Sequence, residues 1–279
     1  MAIAKPKPPG WSFWIDRGGT FTDVIGRGPD GALRTAKLSS ASNAYPDAAV
    51  EGMRRILGAR PGDPFPAERV EAVKMGTTVA TNALLERAGA TTLLVTTAGF
   101  ADVLVIGDQT RPSLFALDIV KPEPLHAGVI EADERLAADG RVVRPLDEDA
   151  LAQALDRARA AGFESVAIAF PHSDLNPDHE IRAALIAREA GFGFVAASCE
   201  VSALPGFIPR AQTTVADAYL TPGLRAYVDR LETALGGVDL YFMTSGGGLV
   251  RAGAFRGRDA LVSGPAGGVV AVARTAVGA

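Results

Sequence analysis

The sequence predicts an α/β protein, with a mainly parallel sheet and helices packed against it. Two observations carry that expectation. Strand-like and helix-like runs alternate from residue 70 to residue 197, and Val166-Ala167-Ile168-Ala169-Phe170 is apolar throughout, as a strand covered on both faces must be. A third observation concerns the N-terminus, where an apolar strand runs into an acid, two glycines and threonines.

The elements follow in order. Phe13-Trp14-Ile15 reads as a strand entering Asp16-Arg17-Gly18-Gly19-Thr20-Phe21-Thr22-Asp23-Val24. Residues 21–26 alternate in and out, Gly28-Pro29-Asp30-Gly31 turns the chain, and 32–38 reads as a further short strand, so the glycine loop is the tip of a β-hairpin. Over 47–57, Ala49, Val50, Met53, Ile56 and Leu57 share a helical stripe that Gly58 and Pro61 end. A strand at 70–75 leads into Gly76-Thr77-Thr78, which opens a helical run over 79–87; Gly89 closes it before a strand at 91–96. Residues 99–144, with Pro112, Pro122 and Pro124, predict an irregular crossing with short strands at 103–106 and 129–136. Asp147 caps a helix carrying Leu151, Leu155 and Ala158, and a strand follows at 165–170. Asn176 and Pro177 begin a helix with Ile181, Ala184 and Leu185, and 192–197 closes the set. From 213 the spacing of Val215, Ala218, Tyr219, Leu224, Tyr227, Val228, Leu231 and Leu235 predicts a long helix that Pro222 kinks or divides.

Composition narrows the function. The chain has 279 residues, enough for one large or two ordinary domains, and a formal charge of −4 with no basic run. Scattered Lys and Arg argue against a nucleic-acid surface or an anionic membrane face. The first ten residues carry lysines and prolines without an apolar core, so they read as a loose leader rather than a signal peptide or a membrane span. One cysteine, Cys199, excludes an internal disulfide and fits a reducing cytoplasm; it reads as a small buried thiol after the core run Val195-Ala196-Ala197.

Glycine–hydroxyl clusters are the main chemical signal. Gly18 and Gly19 can take positive φ and uncover backbone N–H groups, Thr20 and Thr22 add hydroxyls, and Asp16 is placed to hold a hydrated Mg²⁺ against a phosphate. An ordinary tight turn is the alternative. Neither a Walker loop nor a dinucleotide fingerprint is present. A second cluster, Thr244-Ser245-Gly246-Gly247-Gly248, follows an apolar run, and a third, Ser263-Gly264-Pro265-Ala266-Gly267-Gly268, precedes a small-residue helix. Three such clusters suit backbone donors converging on a polyphosphate, although Gly267 and Gly268 equally suit tight helix packing. His172, Asp174 and His179 could frame a metal site, but the reading preferred is that they shape the loop before the next helix. No H-E-x-x-H or G-x-S-x-G motif supports zinc proteolysis or α/β-hydrolase chemistry.

Taken in order, these segments resemble the A-type subunit of the hydantoinase/oxoprolinase family. Residues 16–24 resemble its first phosphate loop, and Gly76-Thr77-Thr78-Val79-Ala80-Thr81-Asn82-Ala83-Leu84 its second signature. Residues 172–180 resemble its His-Ser-x-Leu-Asn-Pro-x-His-Glu segment and Ser263-Gly264-Pro265-Ala266-Gly267-Gly268-Val269 its connector between ATPase lobes. The resemblance implies an actin-like ATPase (ribonuclease H-like) fold with mixed sheets and flanking helices, the second ATPase lobe incomplete. It divides the chain into a leader (1–12), an N-terminal domain (13–199) and the start of an ATPase core (200–279).

The implied activity uses ATP and Mg²⁺ to open cyclic amides, or to activate small ketones for carboxylation, by phosphoryl transfer to an oxygen. In that scheme Asp16 positions Mg²⁺ through water and, with Thr20, serves catalysis. Gly18, Gly19, Thr20, Thr22, Ser245, Gly247 and Gly248 bind the nucleotide, and Thr77, Thr78 and Asn82 face substrate. The implied partners are a B-type subunit that holds the catalytic metal centre and a chain completing the ATPase core, with no nucleic acid and no membrane. The chain departs from the family at Gly206-Phe207-Ile208-Pro209-Arg210, at Ile106-Gly107-Asp108-Gln109 and at Ser245-Gly246. A non-catalytic binding or assembly module is the competing expectation.

Overall fold

The computed structural model describes residues 10–60, 62–108, 113, 115–202 and 204–277. Most of the expected leader, with Pro61, Gln109 and Pro112, lies outside the described residues. The chain forms two compact units: one joins the segment up to Glu86 to the segment from Leu224 onward, and the other is continuous from Arg87 to Gly223.

The first unit begins with an antiparallel meander, β1 (Trp11–Arg17), β2 (Phe21–Arg27) and β3 (Leu33–Ser39), in which Asp16 pairs with Asp23 and Arg17 with Thr22. This is the hairpin that the alternation predicts. Helix α1 (Ala48–Leu57) is capped by Asp47, whose Oδ1 accepts from the N–H groups of Ala49 (2.8 Å) and Val50 (3.1 Å), so two of the helix's unpaired donors are satisfied. Its Ala49, Met53, Ile56 and Leu57 are buried. Strand β4 (Val70–Thr77) lies parallel to β1, with Asp16 opposite Gly76, and α2 (Val79–Leu85) follows.

The second unit is a four-stranded parallel sheet. It comprises β5 (Thr92–Thr97), the one-turn helix α3 (Val103–Ile106), β6 (His126–Ala132), the small pair β7 (Arg135–Leu136) and β8 (Val142–Arg144), and α4 (Glu148–Ala160). Then come β9 (Ser165–Ala169), α5 (Asp178–Glu189), β10 (Phe194–Ala197), α6 (Ser198–Val201) and α7 (Phe207–Leu235), whose residues beyond Gly223 belong to the first unit. The strand order is β10-β9-β5-β6. Leu93, Val95, Val166 and Ile168 pack with Leu151, Leu155, Ala184 and Ile186 on one side, and Leu94, Ala167 and Ala169 with Ala211, Val215 and Ala218 on the other. Helices therefore cover both faces, which is why β5 and β9 are buried at every position.

The chain returns to the first unit with β11 (Asp239–Met243), parallel to β4, then β12 (Leu249–Arg251), α8 (Gly257–Ala260) and α9 (Ser263–Val277). The completed sheet runs β12-β11-β4-β1-β2-β3 and is mixed rather than mainly parallel. Its inner face buries Phe13, Ile15, Met75, Tyr227 and Phe242, and the Phe242 and Phe255 rings stack at 4.6 Å.

Four expectations are corrected. Residues 103–106 form a helical turn, not a strand: the Asp102 carbonyl accepts from Val105 and Ile106, and this local bonding overrides the β-branched composition. The strand expected over 129–136 is divided, because the chain turns at Asp133 and Glu134 and the last two residues pair with β8. Helix α5 starts at Asp178, one residue later than expected, so Pro177 takes the cap position, while the Asn176 side chain still accepts from the Asp178 N–H at 3.1 Å. Pro222 lies inside α7, which runs through it undivided with Leu220, Leu224, Tyr227 and Val228 buried around it, so of the two expected outcomes division does not occur. Among the described residues no helix is long and apolar enough to cross a membrane.

Asp47→Ala should destabilise the protein by about 1–2 kcal/mol, read as a lower urea midpoint at unchanged slope. An unchanged midpoint would contradict the capping role.

Candidate functional site

The carboxyl ends of the parallel strands β1, β4 and β11 share one edge of the first unit's sheet, and each carries one of the sequence's glycine–hydroxyl segments. At the end of β1 the hairpin tip closes through Gly18 N–H to Phe21 O (3.0 Å). Ser40, at the end of β3, locks it: its N–H donates to Thr20 O (2.8 Å), its hydroxyl donates to Gly18 O (2.6 Å) and lies 2.9 Å from Thr22 Oγ1. The N–H groups of Gly19 and Thr20 take no acceptor among the described residues and stand at an exposed tip. Open backbone donors at an exposed turn are what an anion-binding loop requires.

The two glycines are needed for space rather than for positive φ, which neither adopts. A Cβ on Gly18 would stand 3.0 Å from Phe21 O, and one on Gly19 3.0 Å from Asn82 Nδ2. Asn82, on α2, therefore reaches the loop. Asp16 is exposed, and its Oδ1 lies 3.4 Å from where a Gly76 Cβ would be. The absent side chain at Gly76 leaves that carboxylate open.

Several candidate hydroxyls have other work. Thr22 is fully buried against Ser40 and supports the loop from within. Thr77 is buried; its Oγ1 accepts from Val79 N–H (3.2 Å), and its carbonyl accepts from Ser263 Oγ (3.0 Å). Thr78 donates to Arg17 O through both N–H (3.0 Å) and hydroxyl (3.3 Å). These bonds tie β4 to the hairpin loop and α9 to β4. Of the three substrate-side candidates, Thr78 meets the first residue of the loop through its hydroxyl and Asn82 approaches Gly19 through its amide.

At the end of β11, Thr244 N–H donates to Gly248 O (2.8 Å) and Gly247 N–H to Thr244 O (2.9 Å). Gly247 has φ +79, and a Cβ there would also strike Val270 of α9 at 2.8 Å, so both conformation and space require glycine. Ser245 donates to Asp259 O through N–H (2.6 Å) and hydroxyl (2.9 Å), which anchors the loop to α8. Thr81 adds a bond to Leu261 O (2.6 Å). A Cβ on Gly267 would stand 3.8 Å from Met243, in ordinary contact, where α9 packs on β11.

The histidine segment lies in the second unit and is structural. His179 Nδ1 stands 2.7 Å from Glu134 Oε2, while the other oxygen of this buried carboxylate accepts from Thr97. Asp174 pairs with buried Arg210 at 2.9 Å, and Arg210 also donates to Ser198 Oγ (2.9 Å), Phe170 O (3.0 Å) and Ser173 Oγ (3.1 Å). Glu180 accepts from Phe170 N–H (2.7 Å), Ser198 Oγ (2.6 Å) and Cys199 N–H (2.7 Å). Asp174, His179 and Glu180 are thereby each paired inside the fold, while His172 sits half-buried at φ +65, and no group of three or more His, Cys, Asp or Glu placed to hold a metal ion occurs among the described residues. Sequence reading missed Ser40, Glu134 and Arg210, because these partners lie 12 to 45 residues away and no local pattern marks them.

Fold and site together define an α/β protein that gathers two glycine-rich turns and a Gly-Thr-Thr strand end at one edge of a mixed sheet. The chain belongs to the hydantoinase/oxoprolinase family: the hydantoinase/oxoprolinase N-terminal region matches residues 12–191, and the hydantoinase/oxoprolinase domain matches 210–279. It is 40% identical to 5-oxoprolinase of Saccharomyces cerevisiae over 94% of its own length and 23% of the relative's. Against caprolactamase subunit alpha of Pseudomonas jessenii it is 33% identical, over 90% of this chain and 38% of the relative. The crystal structure of ATP-dependent caprolactamase from that organism matches with a TM-score of 0.77 at 30% identity, covering 91% of this chain and 39% of its own. A nucleotide-free acetone carboxylase matches with the same TM-score at 24% identity, over 94% of this chain and 40% of its own, and shares the fold. These matches bear out the expected family and its α/β fold of mixed sheets and flanking helices.

Cys199 provides a check on the second unit. Burial, then the nearby Glu180 charge, pushes its thiol up to about 12, so the native protein at pH 8 should resist iodoacetamide and react only on unfolding. Rapid labelling of the folded protein would contradict this packing.

Proposed function

We propose that this chain is the ATP-binding component of an ATP-dependent hydrolase of cyclic amides, acting in the cytoplasm with further polypeptide. The observation that carries the reading is the hairpin tip, where uncommitted N–H groups at Gly19 and Thr20, an exposed Asp16 carboxylate and the Asn82 amide meet. The relatives named as 5-oxoprolinase and as ATP-dependent caprolactamase support the reaction type.

An amide carbonyl is a poor electrophile, and transfer of a phosphoryl group to its oxygen turns that oxygen into a leaving group. ATP with Mg²⁺ supplies the phosphoryl group and offsets its charge. The residues fit those groups: Gly18, Gly19 and Thr20 offer donors to phosphate oxygens, and Asp16 offers an open carboxylate to a hydrated cation. Ser245, Gly247 and Gly248 frame the neighbouring strand end, while Thr22, Thr77 and Thr78 hold the loops in register. Asn82 is the group assigned to the substrate side.

The domain reading of 13–199 and 200–279 is retained as part of the proposal. Helix α9 supports the need for a covering chain, since Val269 and Val272 are each 69% exposed on a run of small apolar residues. A B-type subunit and the polypeptide that completes the ATPase core are the proposed partners.

In the complete assembly, Asp16→Ala should lower ATP-coupled lactam opening about a hundredfold or more while the protein stays folded. Full activity in this variant would remove Asp16 from the site. An intact assembly that hydrolyses neither ATP nor any cyclic amide would overturn the proposed function.

A further inference from the structure

Arg17 has a position that neither the phosphate-loop reading nor the capping of α1 explains. Its side chain points to the inner face of the sheet, opposite in sense to Asp16, and is 21% exposed. The guanidinium lies over the ring of Tyr227 at 4.8 Å, and Nε stands 3.9 Å from Asp47 Oδ2. No acceptor is within hydrogen-bond distance of that buried Nε. The main chain of the same residue forms the start of the glycine loop, and its carbonyl accepts both donors of Thr78.

Three elements thus meet under the loop: the end of β1, the cap of α1 and the C-terminal half of α7. Asp47 is shared, with Oδ1 on the N–H groups of Ala49 and Val50 and Oδ2 toward Arg17. Tyr227 is 4% exposed, with its hydroxyl 3.9 Å from Met75 Sδ, and Arg230 lies 5.8 Å from the same ring. The planar guanidinium suits this place, because it stacks on an aromatic face and approaches a carboxylate together; a lysine ammonium does not reproduce both contacts.

We propose that Arg17 is a positioning residue for nucleotide binding, fixing the loop 18–20 through its stack on Tyr227 and its approach to Asp47. The inference rests on the nucleotide reading of the loop and adds a residue that does not itself touch phosphate. It separates the two faces of β1: Asp16 serves the outer face, and Arg17 holds the strand's end from the inner one.

The test is Mg-ATP-induced thermal stabilisation and the KM for ATP of the complete assembly in wild type, Arg17→Lys, Tyr227→Leu and Tyr227→Phe. Arg17→Lys and Tyr227→Leu should each raise the KM for ATP about tenfold and shrink the nucleotide-induced stabilisation, with the KM for the amide unchanged. Tyr227→Phe keeps the aromatic face and loses only the hydroxyl's bond to Asp47, so its rise in the KM for ATP should be smaller than that of Tyr227→Leu. A purely structural role would lower the ligand-free melting temperature in the first two variants and leave both nucleotide readouts intact, which would overturn the inference. Wild-type protein that Mg-ATP does not stabilise would instead overturn the nucleotide reading, and this inference with it.

Discussion

Parallel pairing of β1 with β4 and of β4 with β11 is the constraint on which the first unit's site depends. Parallel strands end on the same edge, so three loops far apart in sequence are delivered to one place without any of them having to reach. Bonds made by the loops themselves then fix their relative positions: Ser40 to Gly18, Thr78 to Arg17, Ser263 to Thr77 and Thr81 to Leu261. Most hydroxyls near this edge are used for that internal bracing. What is left open at the hairpin tip is backbone N–H, the Thr20 hydroxyl and one carboxylate, a combination suited to an anion with its cation.

The second unit follows a different logic. Its sheet is buried on both sides, and three acidic or basic groups near its strand ends are held in sets, Glu134 with His179 and Thr97, Arg210 with Asp174, Glu180 with Ser198 and Cys199 N–H, whereas Thr96 Oγ1 and His126 Nδ1 are buried without a hydrogen bond among the described residues. Removing one member of such a set strands its partner in a low-dielectric interior, so the arrangement holds one loop geometry firmly. The histidine segment is accounted for by this role. Cys199, raised by burial and by Glu180, belongs to the same closed environment.

The parts of the fold legible in the sequence were those set by local rules. The hairpin was readable from alternation and turn residues, α4 from Asp147 and its apolar stripe, and the covered sheet from Val166-Ala167-Ile168-Ala169. The short run 103–106 was not, because β-branched residues suggest a strand where one turn of helix satisfies the backbone locally. Of the site, the glycines were legible but their reason was not: Gly18 and Gly19 avoid clashes with Phe21 O and Asn82, contacts that only the assembled sheet creates. The destinations of Thr22 and Ser245 were equally hidden, since Ser40 and Asp259 are 18 and 14 residues away. A compact unit built from two separated segments has no local signature at all.

The central claim is that three segments at one sheet edge form a single nucleotide-binding surface. Amide hydrogen exchange of the complete assembly, with and without a non-hydrolysable Mg-ATP analogue, tests it most directly. The account predicts slower exchange on analogue binding in 16–22, 76–82 and 244–248 together, with little change in 165–197. Protection confined to the second unit, or none in the hairpin loop despite saturating analogue, would contradict it.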